Sequence, residues 1–385
     1  MKFLIQNRLS IISFVIMIGI MGTRPLVSLM AFDLGASPIE IGLIVALFPF
    51  LPFLFAIQMG QYVDRLGFKI PIIFSSFFCS VSLIIPYFVE SLHGLYISQI
   101  IGGVMQTIFV ISAQTMAGKT AEASIESRDK NIMKFSIGVA LGSFVGPLIG
   151  GVASDQYGYP MAFGVLGLIA IFSTFFSVFL PKTLISIEKN ITFKPSIFNS
   201  LNLLNSVNVR RAFMISILIL LGKDIYIAYF PLLALEFGLN NQQIGLIISV
   251  NAAAGILIRW SIPKLLTFMK RSSLIVYSIF LSGVCMILLP FLSDWYTLLF
   301  LSFILGLGLG IGQPLSISTT IMYLPENRIG EGLGLRLSAN RMTQALAPLG
   351  VGLIAEVISM SGVFWFVGAI VVLGSKGTRT TEGTS

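Results

Sequence analysis

Apolar residues run along this chain in long blocks, each broken by charged residues or by Gly, Pro or Asn. A helix rising 1.5 Å per residue crosses about 30 Å of hydrocarbon in about 20 residues. Twelve blocks reach or approach that length: 10–32, 38–60, 70–89, 95–117, 132–154, 160–180, 212–235, 241–264, 273–291, 296–323, 332–357 and 361–375. The pattern predicts an all-α membrane protein with twelve transmembrane helices. The first block follows Lys2 and Arg8, a layout shared with secretory signal peptides. It continues through Arg24 and Pro25 to Ala31 without a small-x-small cleavage site, so it is read as the first membrane helix.

Composition agrees with a lipid solvent. Only 10% of residues are Asp, Glu, Lys or Arg, against roughly a quarter in a soluble domain, and 56% are hydrophobic. Cys79 and Cys285 lie inside apolar blocks and read as small packing residues without a disulfide framework. A net charge of +8 would suggest nucleic acid for a soluble chain; here the charge follows the loops, and no nucleic-acid partner is expected. With the N-terminus placed inside, the 24 Lys and Arg fall on inner segments or within spans and leave the outer segments without any. Six lie within spans, namely Arg24, Lys134, Lys223, Arg259, Arg336 and Arg341, while Asp33, Glu40, Glu90, Asp155, Glu236 and Asp294 lie outside. This positive-inside bias predicts a bacterial-type inner-membrane protein with both termini cytoplasmic, and a missed or extra helix would scramble it.

The longest polar interruption, Pro181 to Arg211, separates six spans from six. The expected organisation is an N-terminal six-helix bundle over 1–181, a cytoplasmic linker over 182–210, and a C-terminal six-helix bundle over 211–385 with a short last helix. A repeat supports the division: Pro25-Leu26 through Ile41-Gly42-Leu43-Ile44 recurs as Pro231-Leu232 through Ile244-Gly245-Leu246-Ile247. Gly146-Pro147 in the fifth span is likewise matched by Ala347-Pro348 in the eleventh. Tandem halves repeating in parallel are a transporter plan, with the substrate near the bilayer midplane.

Between the second and third spans the chain reads Gly60-Gln61-Tyr62-Val63-Asp64-Arg65-Leu66-Gly67-Phe68-Lys69. Glycines permit a tight turn there, Asp64 is set to meet a helix N-terminus or a cation, and Arg65 and Lys69 sit at the inner interface. The segment resembles the G-x-x-x-D-R-x-G-R-[RK] signature of the major facilitator superfamily, with Phe68 replacing a basic residue. The resemblance covers essentially the whole chain. It implies two pseudo-symmetric six-helix bundles, with Gly60, Asp64, Arg65, Gly67 and Lys69 as a cytoplasmic latch that stabilises one conformation. In the fifth span, Gly138, Gly142, Gly146 and Gly150 recur every four residues beside Pro147 and Gly151. Such spacing makes a flat face for close backbone approach, and the proline bends the helix. Gly142, Gly146, Pro147, Gly150 and Gly151 look like the fifth-helix motif of bacterial twelve-helix drug:proton antiporters in that superfamily. The arginine those antiporters usually carry in the fourth helix is replaced here by Ser98-Gln99, which departs from their usual proton relay.

An ionised side chain at the bilayer centre costs at least about 2.5–3.5 kcal/mol on insertion scales. Lys134, Arg259 and Arg336 lie near the inner ends of their spans and are expected to snorkel. Arg24 and the Lys223-Asp224 pair have no such escape, and Arg341 lies deeper in its span. Asp224 is the one acid predicted at midplane depth, about 18 Å into the seventh span. A carboxyl whose surroundings alternate between buried and wet can take up and release a proton, so Asp224 is the proton-coupling candidate. A fixed ion pair with Lys223, Arg24 or Arg341 is the structural alternative. The fourth span places Gln99, Gly103, Gln106, Val110 and Gln114 on one stripe, and the tenth answers with Gly306, Gly310, Gln313, Ser316 and Thr320. By the resemblance these helices line a central cavity, to which Arg24, Gln99, Gln106, Lys223, Tyr226, Gln313 and Arg341 are assigned. Amides can bind polar substrates without fixed charge, or bond between helices instead. The surplus of deep cations over acids favours a neutral or anionic substrate.

The function the resemblance implies is secondary transport by alternating access, with proton-coupled export of small organic molecules suggested by the fifth-helix motif. A proton symporter or facilitator for metabolite uptake shares the fold. A membrane enzyme or receptor has less behind it: the chain shows no metal-ligand cluster, nucleophile–base spacing or phosphate loop, and its single histidine, His93, is in an outer loop. No cofactor or metal is expected; the partners are a small-molecule substrate, protons and the lipid bilayer, with the chain a monomer. The orientation is directly testable. In a background with Cys79 and Cys285 replaced by alanine, Ser91→Cys should react with a membrane-impermeant maleimide on intact cells. Lys270→Cys should react only after permeabilisation; labelling of Lys270→Cys but not of Ser91→Cys in intact cells would reverse the assignment.

Overall fold

A computed structural model describes residues 2–119, 125–180, 202–324 and 328–379. Those residues form twelve helices, with no strand among them. They are α1 (Lys2–Asp33), α2 (Pro38–Leu66), α3 (Lys69–Phe88), α4 (Leu92–Lys119), α5 and α6 (the two arms of Ile125–Val178), α7 (Val207–Glu236), α8 (Asn241–Phe268), α9 (Arg271–Leu288), α10 (Trp295–Tyr323), α11 (Ile329–Val357) and α12 (Met360–Gly377). Helix is what lipid demands, because backbone N–H and C=O groups in hydrocarbon must be satisfied within the chain. The arms α5 and α6 part at Gly158, whose φ of 82° and ψ of 166° break the helix two residues before Pro160. Ten stretches are long and apolar enough to cross a membrane, one of them holding both α5 and α6. The remaining helix, α11, falls short in apolarity because it carries Arg336, Asn340, Arg341 and Gln344.

The repeat seen in the sequence is repeated in local geometry. At the end of α1, Gly35 N–H donates to Phe32 O and Ala36 N–H to Ala31 O; at the end of α7, Gly238 donates to Leu235 O and Leu239 to Ala234 O. Both are Schellman closures, and each needs a left-handed residue that glycine adopts without strain: Gly35 has φ 82° and Gly238 φ 78°. The next helix is then capped reciprocally in each half, by Ser37 with Glu40 at α2 and by Asn240 with Gln243 at α8.

On α3 and α9 small residues are concentrated on the buried face and aromatic ones on the exposed face. On α3 the buried face carries Ser75, Ser76, Cys79, Ser80 and Ser82 between Ile72 and Leu83, while Phe74, Phe77 and Phe78 are exposed. On α9, Ser272, Ser278, Ser282 and Cys285 are buried and Tyr277, Phe280 and Leu281 exposed. Lipid tails are as apolar as leucine, so small residues go to the helix contacts and large apolar ones face outward. Both cysteines are free and buried within this pattern.

The chain divides into two compact units, Met1–Asn190 with Asn240–Ser249, and Ile191–Leu239 with Val250–Ser385. In the first unit, α5 lies backbone to backbone on α1. A Cβ on Gly146 would stand 2.6 Å from Ile18 O and 2.7 Å from Gly22 N, and one on Gly142 2.7 Å from Phe14 O. In the second unit, α7 begins at Val207, five residues before the expected span and inside the expected linker, because Val209 and Phe213 pack with Leu203 and Leu324 in an apolar cluster. The rest of the expected linker up to residue 201 lies outside the described residues. Gly146→Ala should therefore cost about 1–3 kcal/mol of stability. Gly350→Ala, whose Cβ would meet nothing within 4 Å, should gain roughly 0.5–1 kcal/mol; thermal unfolding of the purified variants measures both.

Candidate functional site

In the first unit, Arg24 sits on α1 immediately before Pro25, half-buried, with its guanidinium carbon 4.8 Å from the centroid of the Phe48 ring on α2. That is cation–π distance. Gln99 and Gln106 lie two turns apart on α4, each 8% exposed. Neither amide has a hydrogen-bond partner among the described residues, so they do not act as bonds between helices there.

The two superfamily-like motifs occupy distinct places in this unit. Gly67 closes α2 with φ 74°, Gly60 has open space around it, and Lys69 starts α3. The side chains of Asp64 and Arg65 lie outside the described set. Phe68, which departs from the basic residue of the signature, is 2% exposed and belongs to the apolar core with Leu9, Val63 and Ile72. It is a packing residue where the signature has a charge. On α5, Gly142, Gly146 and Gly150 face α1, whereas Gly151 faces the first turns of α8, near Gly245. Those turns are bonded into the unit: Asp155 Oδ1 accepts from Asn241 N–H at 3.3 Å, and Tyr159 OH bonds to Asn241 Oδ1 at 3.2 Å. A cleft of about 410 Å³ opens beside Met30, Asp33, Glu90 and Tyr159; it includes none of the glutamines and not Arg24.

In the second unit the polar groups converge on α11. Arg336, Asn340, Gln344 and Pro348 recur at four-residue steps, which stacks them on one helix face. Three of them meet α7. Ser216 hydroxyl bonds to Asn340 Oδ1 at 2.8 Å, Gln344 Nε2 donates to Asp224 Oδ2 at 2.8 Å, and Tyr229 OH donates to Pro348 O at 2.9 Å. Asp224 is twelve residues from the end of α7 at Glu236, about 18 Å along the axis. Gln344 also accepts from Arg341 Nη1 at 3.1 Å through Oε1, so one amide joins a cation to the carboxylate. Lys223 and Gln313 are half-buried on α7 and α10. Tyr226 is turned into the unit: its ring stacks on Phe230 at 4.8 Å and its hydroxyl donates to Ser302 Oγ at 2.8 Å. Ser302 O in turn accepts from Asn251 Nδ2 at 2.9 Å.

Gln344, Asn340, Asn251 and Ser302 lie outside the charges and the α4 and α10 stripes that the sequence brings forward, yet each bonds across helices. The four-residue recurrence on α11 was the available signal. Arg336, expected to snorkel, is buried instead. That side chain is 7% exposed and donates from Nε and Nη2 to Ser316 Oγ at 3.2 and 2.8 Å. Four residues from Asn340, it continues the buried polar face of α11.

A multi-pass helical protein with a repeated capping pattern in its two halves and polar stripes on the inner faces of its membrane helices has the build of a solute carrier. The Major Facilitator Superfamily model matches residues 9–266 and 212–375, and the chain belongs to that superfamily. It is a transporter of small molecules across a membrane and not an enzyme. It is 26% identical over 360 residues to an uncharacterised MFS-type transporter of Methanocaldococcus jannaschii, covering 92% of each chain. It is 24% identical over 366 residues to the quinolone resistance protein NorA of Staphylococcus aureus, covering 92% of this chain and 91% of that one. Its fold is similar to the crystal structure of the nucleoside transporter NupG, with a TM-score of 0.79 at 14% identity over 97% of this chain and 98% of that one. Removing the Tyr226 hydroxyl as Tyr226→Phe should lower unfolding stability by about 0.6–1.7 kcal/mol, the range for interhelical hydrogen bonds in lipid. Gln313→Leu removes an amide with no partner among the described residues and should leave stability nearly unchanged in the same denaturant titration.

Proposed function

We propose that the protein is a proton-coupled exporter of small organic molecules, working by alternating access, in which Asp224 takes up and releases the proton. The observation that carries this reading is the chain of contacts Asp224–Gln344–Arg341, near the middle of a membrane helix. An amide is a suitable partner for a carboxyl that changes protonation. It donates to the carboxylate through Nε2 while Oε1 accepts from Arg341; turned over, it accepts from the neutral acid and releases Arg341, so protonation of Asp224 breaks the chain of contacts without moving a helix. Arg341 at the far end of the amide ties the relay to a fixed positive charge.

The remaining polar residues fit binding of an uncharged or anionic molecule. Gln99, Gln106 and Gln313 offer amides without partners among the described residues, and Arg24, Lys223 and Arg341 supply positive charge; Tyr226, assigned to the cavity from the sequence, is instead fully buried with its hydroxyl on Ser302 and its ring on Phe230. Export rather than uptake is supported by the fifth-helix glycine motif and by a relative named for quinolone resistance. Gly60, Asp64, Arg65, Gly67 and Lys69 form the cytoplasmic latch in this reading. The chain lies in the inner membrane as a monomer, with both termini cytoplasmic.

The test is flux in proteoliposomes under an imposed pH gradient, across a panel of small organic substrates. Wild type should move substrate against the proton flow, and Asp224→Asn should reduce gradient-driven flux to background while substrate exchange without a gradient persists. Wild-type flux that ignores the gradient removes proton coupling, and flux in the same direction as the protons replaces export with symport.

A further inference from the structure

Arg336 is buried with no counter-charge among the described residues. It lies seven residues into α11 from Ile329, and Ser316 lies seven residues before the end of α10 at Tyr323. Both are therefore about 10 Å along the axis from the end where α10 stops and α11 begins. A guanidinium remains protonated throughout the physiological pH range, and a buried charge is unfavourable unless it is both hydrogen-bonded and paired. The Ser316 hydroxyl supplies hydrogen-bond acceptance and no counter-charge. Among the described residues, no carboxylate reaches Arg336.

The geometry of the contact leaves a usable edge. Nε and Nη2 both point at the single Ser316 oxygen, which occupies one side of the planar group. The other side, Nη1 with the second N–H of Nη2, donates to no described residue and presents two parallel donors. That fork matches the two oxygens of a carboxylate. A second orphan group is close in sequence and on the same helix as Ser316: Thr319, one turn along α10, is fully buried with an Oγ1 that has no partner. Asn340, one turn along α11, is 7% exposed and has its Oδ1 engaged by Ser216. Among the described residues the region is thus polar, buried, and short of one negative charge.

We propose that Arg336 and Ser316 form an anion-binding position in the second unit, which takes the carboxylate of a monoanionic small molecule on the free Nη1–Nη2 fork. One planar fork carries one positive charge, which suits a monocarboxylate better than a phosphate dianion. The proposal rests on the transport reading for its physiological meaning, and it adds the chemical class of the cargo.

The experiment is thermal unfolding of the purified full-length protein in detergent, titrated with sodium benzoate, sodium phosphate or sodium chloride at matched ionic strength. Benzoate should raise the wild-type Tm in a saturating manner, with phosphate much weaker and chloride without effect. Arg336→Gln, which removes an uncompensated buried charge, should have a ligand-free Tm at or above wild type and no benzoate response. Arg336→Lys keeps the charge but loses the fork, and should respond only partially. A flat benzoate response in wild type overturns the proposal, as does phosphate matching benzoate or a benzoate shift that survives in Arg336→Gln. A ligand-free Tm of Arg336→Gln below wild type identifies the Ser316 contact as a structural bond and overturns it as well. This readout uses no pH gradient, so failure of the anion position and failure of proton coupling at Asp224 are separate results.

Discussion

In hydrocarbon a leucine gains nothing by touching another leucine in place of a lipid tail, so helices associate through close backbone contact and through polar pairs. Both devices are visible, and they are divided between helices. The α1–α5 contact is made of glycines whose Cβ positions are filled by the backbone of the neighbouring helix, at Ile18, Gly22 and Phe14. The α7–α11 contact is made of three polar rungs, Ser216–Asn340, Asp224–Gln344 and Tyr229–Pro348. Serines on the buried faces of α3 and α9, with phenylalanines exposed behind them, follow from the same constraint.

That constraint ties packing to function. A polar group inside the membrane is costly unless it is bonded: small hydroxyls such as Ser80 and Ser282 bond to carbonyls of their own helix, and the larger polar groups either bond between helices or are left for a ligand. The bonded groups here have partners that can be exchanged: an amide for Asp224, a hydroxyl for Arg336, a hydroxyl for Tyr226. Gln99 and Gln106 have none among the described residues. Exchangeable partners suit a carrier, in which a side chain must let go of one group and take another as the protein cycles.

Much of this was legible in the chain. Twelve spans were readable because block length is measured against a bilayer of nearly fixed thickness. The repeat from Pro25 and Pro231 was readable because helix ends are local: Gly35 with Ser37 and Glu40, and Gly238 with Asn240 and Gln243, close and cap their helices through neighbours within a few residues. The glycines of the fifth span announced a close contact by their four-residue spacing, though not that α1 was the helix they touch.

The sequence alone thus determined helix content, the number of spans and the repeated helix ends, since each depends on composition over about twenty residues or on bonds within one turn. Only the tertiary structure decided which polar side chains meet. Gln344 reaches Asp224 across 120 positions of chain, Arg336 turns to Ser316 instead of toward the interface, and Tyr226 closes on Ser302. A helical periodicity specifies which residues share a face but leaves the rotation and axial register of one helix against the next open. Those two variables are set only when all the neighbouring helices are packed at once.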